Sequence, residues 1–107
     1  MVTEEQITQV AQRLGAATNA ERVILFGSYA RGDAREHSDV DLMIVAESDQ
    51  PRFKRARGLY KEIEPYPSCG VDLLVYTPKE IDKWKDCPVS FIAGVLREGK
   101  TVYVRGG

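Results

Sequence analysis

The chain has 107 residues, 15 of them basic and 16 acidic, with a formal net charge of −1 and 43% hydrophobic residues. That length supports one core and not two, so residues 1–107 are expected to form a single domain. The near-neutral balance excludes a polybasic chain that holds nucleic acid by bulk charge, and equally an acidic disordered one. No apolar run approaches the roughly 18 residues of a membrane helix.

The N-terminus starts acidic and turns amphipathic, unlike a secretory signal, so a cytoplasmic location is expected. Thr3 and Gln6 have the spacing of a capping box. Ile7, Val10, Ala11, Leu14 and Ala17 follow at helical spacing, which predicts a helix over about residues 4–17. Residues 22–26 form a short apolar run that ends at Gly27, a buried strand. Residues 27–38 are polar, with a short helical turn expected just after Gly27. Val40 to Val45 reads as a second strand. Phe53, Ala56, Leu59 or Tyr60, and Ile63 mark one face of a helix that stops before Pro65. Pro65 to Gly70 is rich in turn residues.

A third strand is expected over Val71 to Tyr76. Thr77, Pro78 and Glu80 then make a strong helix start, with Ile81 and Trp84 facing inward. Val89, Ile92, Val95 and Leu96 predict a last helix ended by Gly99 at its C′ position. Thr101 to Val104 has the look of a short edge strand. Helices and strands alternate throughout, so the expected class is α/β (α+β), one sheet flanked by helices. The residues do not say which strands run parallel.

The chemistry concentrates between Leu25 and Leu42. Asp39 and Asp41 sit two apart at the head of an apolar strand, so their side chains share a face. Two carboxylates there repel each other and lose hydration, and a divalent cation would compensate both. Asp72 stands near the start of the third strand. If that strand neighbours the second, three acids converge, a donor set that suits Mg²⁺ or Mn²⁺ rather than zinc. Two such ions about 4 Å apart could clamp an in-line phosphoryl displacement.

Gly27 lets the backbone approach a phosphate, and Ser28 adds a hydroxyl donor. Three aspartates and a nucleoside triphosphate bring about −7, of which two Mg²⁺ return about +4. Arg31 is placed to supply part of the remainder, or else to form a surface bridge with Asp33 or Glu36. Taken alone, Asp39 and Asp41 would read as solvated turn and strand-start acids. Gly27-Ser28 upstream and Asp72 downstream argue against that.

Gly27-Ser28, ten intervening residues, Asp39-Val40-Asp41 and the later strand acid Asp72 together resemble the DNA polymerase β-type nucleotidyltransferase superfamily. The fuller pattern, Gly27 to Gly32 followed by Ser38 to Leu42, is similar to its minimal nucleotidyltransferase branch, the HEPN/MNT antitoxin type. The resemblance implies a mixed sheet of the polymerase β palm kind. It implies that Asp39 and Asp41 hold two Mg²⁺ ions, and that Asp72 helps hold the catalytic one and takes the acceptor's proton. Gly27 and Ser28 would grip the triphosphate. The implied reaction moves AMP from ATP to a hydroxyl acceptor and releases pyrophosphate. The implied partner is a helical HEPN-domain toxin, with a tyrosine on it as the acceptor.

Two rivals stand beside this reading. One is a binding module that neutralises a partner by contact alone. The other is a small-molecule nucleotidyltransferase, although no second domain is seen to hold such an acceptor. The acceptor pocket would then come from the partner or from another copy in a homo-oligomer. Other phosphate chemistries fail on detail: there is no G-x-x-x-x-G-K-[ST] and no G-x-S-x-G.

Of the remaining residues, His37 reads as exposed and Ser38 as a turn cap. Cys69 and Cys87 read as reduced thiols. Trp84 and Phe91 read as core or partner-interface aromatics. Arg52, Lys54, Arg55, Arg57 and Lys61 read as a solvated helix face, or as a patch for an acidic partner or RNA.

Overall fold

The computed structural model describes residues 1–64 and 70–106. Thr3 caps helix α1 (Glu4–Thr18) through a complete capping box with Gln6. Ile7, Val10, Ala11 and Leu14 form its buried stripe. The helix ends at Asn19 in the left-handed region, φ 52°, which a short amide side chain tolerates.

Strands β1 (Arg22–Phe26), β2 (Val40–Val45), β3 (Val71–Tyr76) and β4 (Lys100–Val104) make one sheet in the order β3-β2-β1-β4. β1 runs antiparallel to both β2 and β4, whereas β2 and β3 are parallel. The sheet is therefore mixed, as the resemblance implied. A four-residue helix, α2 (Ser28–Arg31), follows β1. Helices α3 (Pro78–Trp84) and α4 (Phe91–Glu98) follow β3.

β2 reads Val-Asp-Leu-Met-Ile-Val because it is buried on both faces. On one side Val40, Leu42 and Ile44 pack with Leu14, Val23, Leu25, Leu73 and Val75, under α1. On the other, Met43 and Val45 pack with Ile24, Tyr76, Ile81, Ile92 and Val95, under α3 and α4. Each fully buried Leu or Ile contributes about 1.5–3 kcal/mol. No helix among the described residues is long and apolar enough to cross a membrane.

Four sequence expectations need correction. The helix expected over 53–63 is instead a chain of tight turns, with 3₁₀ segments at Arg52–Lys54 and Tyr60–Ile63. Its backbone bonds run three residues back, as in Lys54 N–H to Pro51 O and Leu59 N–H to Ala56 O. Gly58 in its middle disfavours a helix by about 1 kcal/mol relative to Ala. Phe53 consequently faces solvent, 71% exposed.

The basic run is not uniformly a solvated face. The Arg55 side chain is only 10% exposed and lies 2.6 Å from Glu80. It also donates to the carbonyls of Gln50 and Val75.

Trp84 ends α3 and lies half out, with the Lys83 ammonium over its ring. Seven residues give α3 one inward position, and Ile81 takes it.

The last helix starts later than expected. Ser90 caps it, accepting from Ala93 N–H, and leaves Val89 outside and almost fully exposed. Gly99 is extended there, φ −74°, and not a left-handed cap. What requires a glycine is space, since a Cβ would overlap the Ile24 methyl and crowd the Leu25 carbonyl.

Cys87 is a free thiol and His37 is exposed, as expected. Cys69 and most of the turn-rich stretch before Gly70 lie outside the described residues.

Arg55 holds the irregular crossover to β3, and its hydrogen bond is the main reason the Glu80 carboxyl titrates below its ordinary value. A lowered carboxyl pKa gives stability that is present above the unfolded value and lost as pH falls through the folded one. Arg55→Ala should therefore cost about 2 kcal/mol at pH 7 in urea unfolding. The deficit should shrink as pH falls below the ordinary carboxyl range and Glu80 takes up its proton.

Candidate functional site

Parallel pairing of β2 with β3 sets Asp41 directly beside Asp72 in register. Alternation along each strand places both acids on the face that carries Phe26, Met43 and Leu74. At this end of the sheet α3 and α4 do not cover that face, so Asp41 is half-buried and Asp72 exposed.

The Asp41 carboxyl is pushed up from 3.8 to about 6. Burial is the first cause. The charge of Asp72, its hydrogen bond and the charge of Asp39 add to it, while Arg31 opposes them. Two carboxylates this close repel each other, which adds to the effect of burial on Asp41.

Asp39 lies one residue before β2, with its carboxylate over Gly70. A Cβ at Gly70 would overlap Asp39 Oδ1, so the residue before β3 must be bare. The Val40 N–H also donates to the Gly70 carbonyl at 3.0 Å. Asp39 is near enough for its charge to act on Asp41. Among the described residues, however, no three His, Cys, Asp or Glu side chains form a ready-made metal cage.

Gly27 closes the other side. Its φ is +75°, and a Cβ there would overlap Asp41 Oδ2. Conformation and space both demand glycine at this corner, which presses the backbone onto the acid. The Gly27 carbonyl accepts from the Ala30 and Arg31 N–H groups and so opens α2. Ser28, half-buried, begins that turn. Ser38 caps the loop before Asp39 and accepts from the Arg35 N–H at 2.7 Å.

Arg31 is exposed and pairs with Asp33 at 3.3 Å and with Glu98 at 3.6 Å. The Asp33 bridge was one of the two sequence readings; Glu98 was not foreseen. Its carboxylate also accepts from the Gly27 N–H at 3.2 Å. Nothing linear signals this, because the two residues lie 71 positions apart. Gly70 was likewise passed over, although a glycine just before a strand opposite an Asp-x-Asp is a readable cue.

The donor set is oxygen only, and its charges repel. Both features fit a hard divalent cation and not zinc. Asp41 and Asp72 supply the contact pair and Asp39 a third charge. Further along the same face, a groove of about 280 Å³ is lined by Arg52, Tyr76, Trp84 and Phe91 among others.

In class, this is a small α+β domain with an acid pair at the open end of a mixed sheet and a glycine–serine corner pressed against it. The chain belongs to the nucleotidyltransferase domain family, whose model matches residues 4–97.

The chain is similar to "Putative protein adenylyltransferase MJ0604" of Methanocaldococcus jannaschii, 34% identical over 86 residues, 78% of each chain. It is 30% identical over 108 aligned positions to "Putative protein adenylyltransferase MJ1305" of the same organism, covering 97% of this chain and 71% of that one. A shorter match, 46% over 55 residues, links it to "Putative protein adenylyltransferase MJ0141" and spans about half (54%) of that protein.

Among solved structures it shares the fold of "a putative nucleotidyltransferase from Sulfolobus solfataricus", with TM-score 0.66, 21% identity and 95% and 80% of the two chains covered. It also shares the fold of a chain in a toxin–antitoxin structure determined with AMP-PNP, with TM-score 0.57, 20% identity and 98% and 76% covered.

The raised Asp41 carboxyl has a stability consequence. Native protein binds more protons than unfolded chain between pH 3.8 and about 6, so stability falls as pH rises through that window. Asp41→Asn should stabilise the metal-free protein at pH 7 by about 1 kcal/mol after solvent screening. The gain should vanish toward pH 4 in urea titrations.

Proposed function

We propose that residues 1–107 act as a minimal, magnesium-dependent nucleotidyltransferase that moves AMP from ATP to a hydroxyl on a partner protein. The observation that carries this reading is the Asp41–Asp72 carboxyl pair in register across parallel strands, with Gly27 pressed against it.

Asp39 and Asp41 would hold two divalent ions, with Asp72 sharing the catalytic one. Bound there, the ions would supply Lewis-acid stabilisation of charge on the phosphates. Gly27 N–H, Ser28 and Arg31 would hold the triphosphate and aim its α-phosphorus at the acids. Asp72 is exposed and takes the proton as the acceptor oxygen bonds to that phosphorus. The α–β phosphoanhydride bond breaks and pyrophosphate leaves.

Curated relatives named as protein adenylyltransferases support a protein acceptor, and the toxin–antitoxin neighbour supports a toxin as that protein. We take the toxin to be a helical HEPN-domain protein, its acceptor a tyrosine, and the compartment the cytoplasm.

One observation favours a second reading, neutralisation by contact alone. Phe53, Trp84, Val89 and Phe91 are all exposed, and they offer apolar surface to a partner.

The readings separate with the co-expressed partner, Mg²⁺ and each NTP in turn, followed by intact mass. The transferase reading expects one AMP added to the partner from ATP. Asp41→Asn should slow that addition at least about 100-fold. If Asp39→Asn with Asp41→Asn still neutralises the partner in cells, contact is the mechanism.

A further inference from the structure

Glu98 is the last residue of α4, and a helix C-terminus is a poor place for an acid, since the helix dipole there is already negative. The residue is nonetheless fixed in position. Gly99 behind it is wedged against Ile24 and Leu25 of β1, the strand that leads into Gly27. The Gly99 N–H is bonded to the Val95 carbonyl at 2.7 Å.

What compensates the misplaced carboxylate lies across the site. Glu98 Oε1 accepts from the Gly27 N–H at 3.2 Å and stands 3.6 Å from Arg31 Nη1. Those two donors are the ones that the proposed function assigns to the triphosphate, and this inference rests on that assignment.

We infer that Glu98 is a built-in competitor for the phosphate corner. Its carboxylate occupies the Gly27 amide and the Arg31 guanidinium until a polyphosphate displaces it. A single carboxylate brings one charge, whereas a polyphosphate brings several, together with more acceptor oxygens for the same donors. Weakly charged anions are therefore turned away and polyphosphates are admitted. Glu98 sets the affinity of the corner without touching the reacting atoms. No bond is made or broken; one set of hydrogen bonds replaces another.

The test titrates magnesium tripolyphosphate, which carries phosphates without a base, into wild type, Glu98→Ala, Glu98→Gln and Asp33→Asn. Calorimetry gives affinity, and the Gly27 amide cross-peak in ¹⁵N-labelled protein reports the contact directly. Glu98→Ala should bind about three- to tenfold tighter, and its Gly27 peak should already be shifted before ligand is added. Glu98→Gln keeps the acceptor but not the charge, so it should gain less in the same direction. This variant carries the test if the alanine form folds poorly.

Asp33→Asn removes the same charge beside Arg31 without touching Gly27, and should change affinity less than about twofold. Equal gains from Asp33→Asn and Glu98→Ala, or no gain from Glu98→Ala while wild type binds, would overturn the competitor role and leave the phosphate corner standing. Absence of binding in every variant would overturn the phosphate corner itself, and this inference with it.

Discussion

Two carboxylates held side by side across the β2–β3 pair are the constraint from which the rest of the site follows. In-register parallel pairing gives Asp41 and Asp72 no freedom to separate along the strands. Rotamer changes alone cannot take them far apart while the ladder holds. Burial on the Asp41 side and exposure on the Asp72 side make the pair unequal. Burial makes Asp41 resist ionisation, whereas Asp72 is the more solvated member. One fold thus gives two chemically identical groups different environments.

The fold tolerates this repulsion because the apolar pairs surrounding the acids are strong. β2 is buried on both faces over Leu42 to Val45, and its two cores are independent of the acids. The residues that crowd the site are mostly absent side chains. Gly27 lets Asp41 lie against backbone, and Gly70 does the same for Asp39. Substituting either would push a carboxylate away from its neighbours before any chemistry was affected, so these glycines shape the charge distribution as much as they shape the chain.

Much of this was legible in the sequence, for identifiable reasons. The four strands and the first and third helices carry local signals: continuous apolar runs for two-sided burial, and capping boxes at Thr3 and Thr77. Spacing placed Asp39 and Asp41 at one strand head, and the Gly27-Ser28 corner beside them came with the family resemblance. What misled the reading was apolar spacing without the means to form a helix. Phe53, Ala56, Leu59 and Ile63 match a helical face, yet Gly58 interrupts them and Arg55 is drawn under the chain toward Glu80 and Val75. A tertiary ion pair overrode local periodicity there. Glu98 was invisible for the opposite reason: its partner Gly27 is brought to it only when α4 packs on β1.

The same distinction separates the two halves of the site by the kind of force that builds them. The acid half is fixed by strand register, a backbone property, and a side-chain change there alters charge without altering position. The corner half depends on packing: Gly99 against Ile24 brings in Glu98, and Arg31 bridges both Glu98 and Asp33. Arg31 sits between two acids at comparable distances and is half exposed, so neither bridge holds it by much more than thermal energy. A cation balanced in this way is free to follow whichever anion carries more charge. The rigid acids and the pliable corner therefore suit different tasks. Under the proposed function, the acids would keep a fixed geometry where bonds change, and the corner would adjust to an anion that enters and leaves.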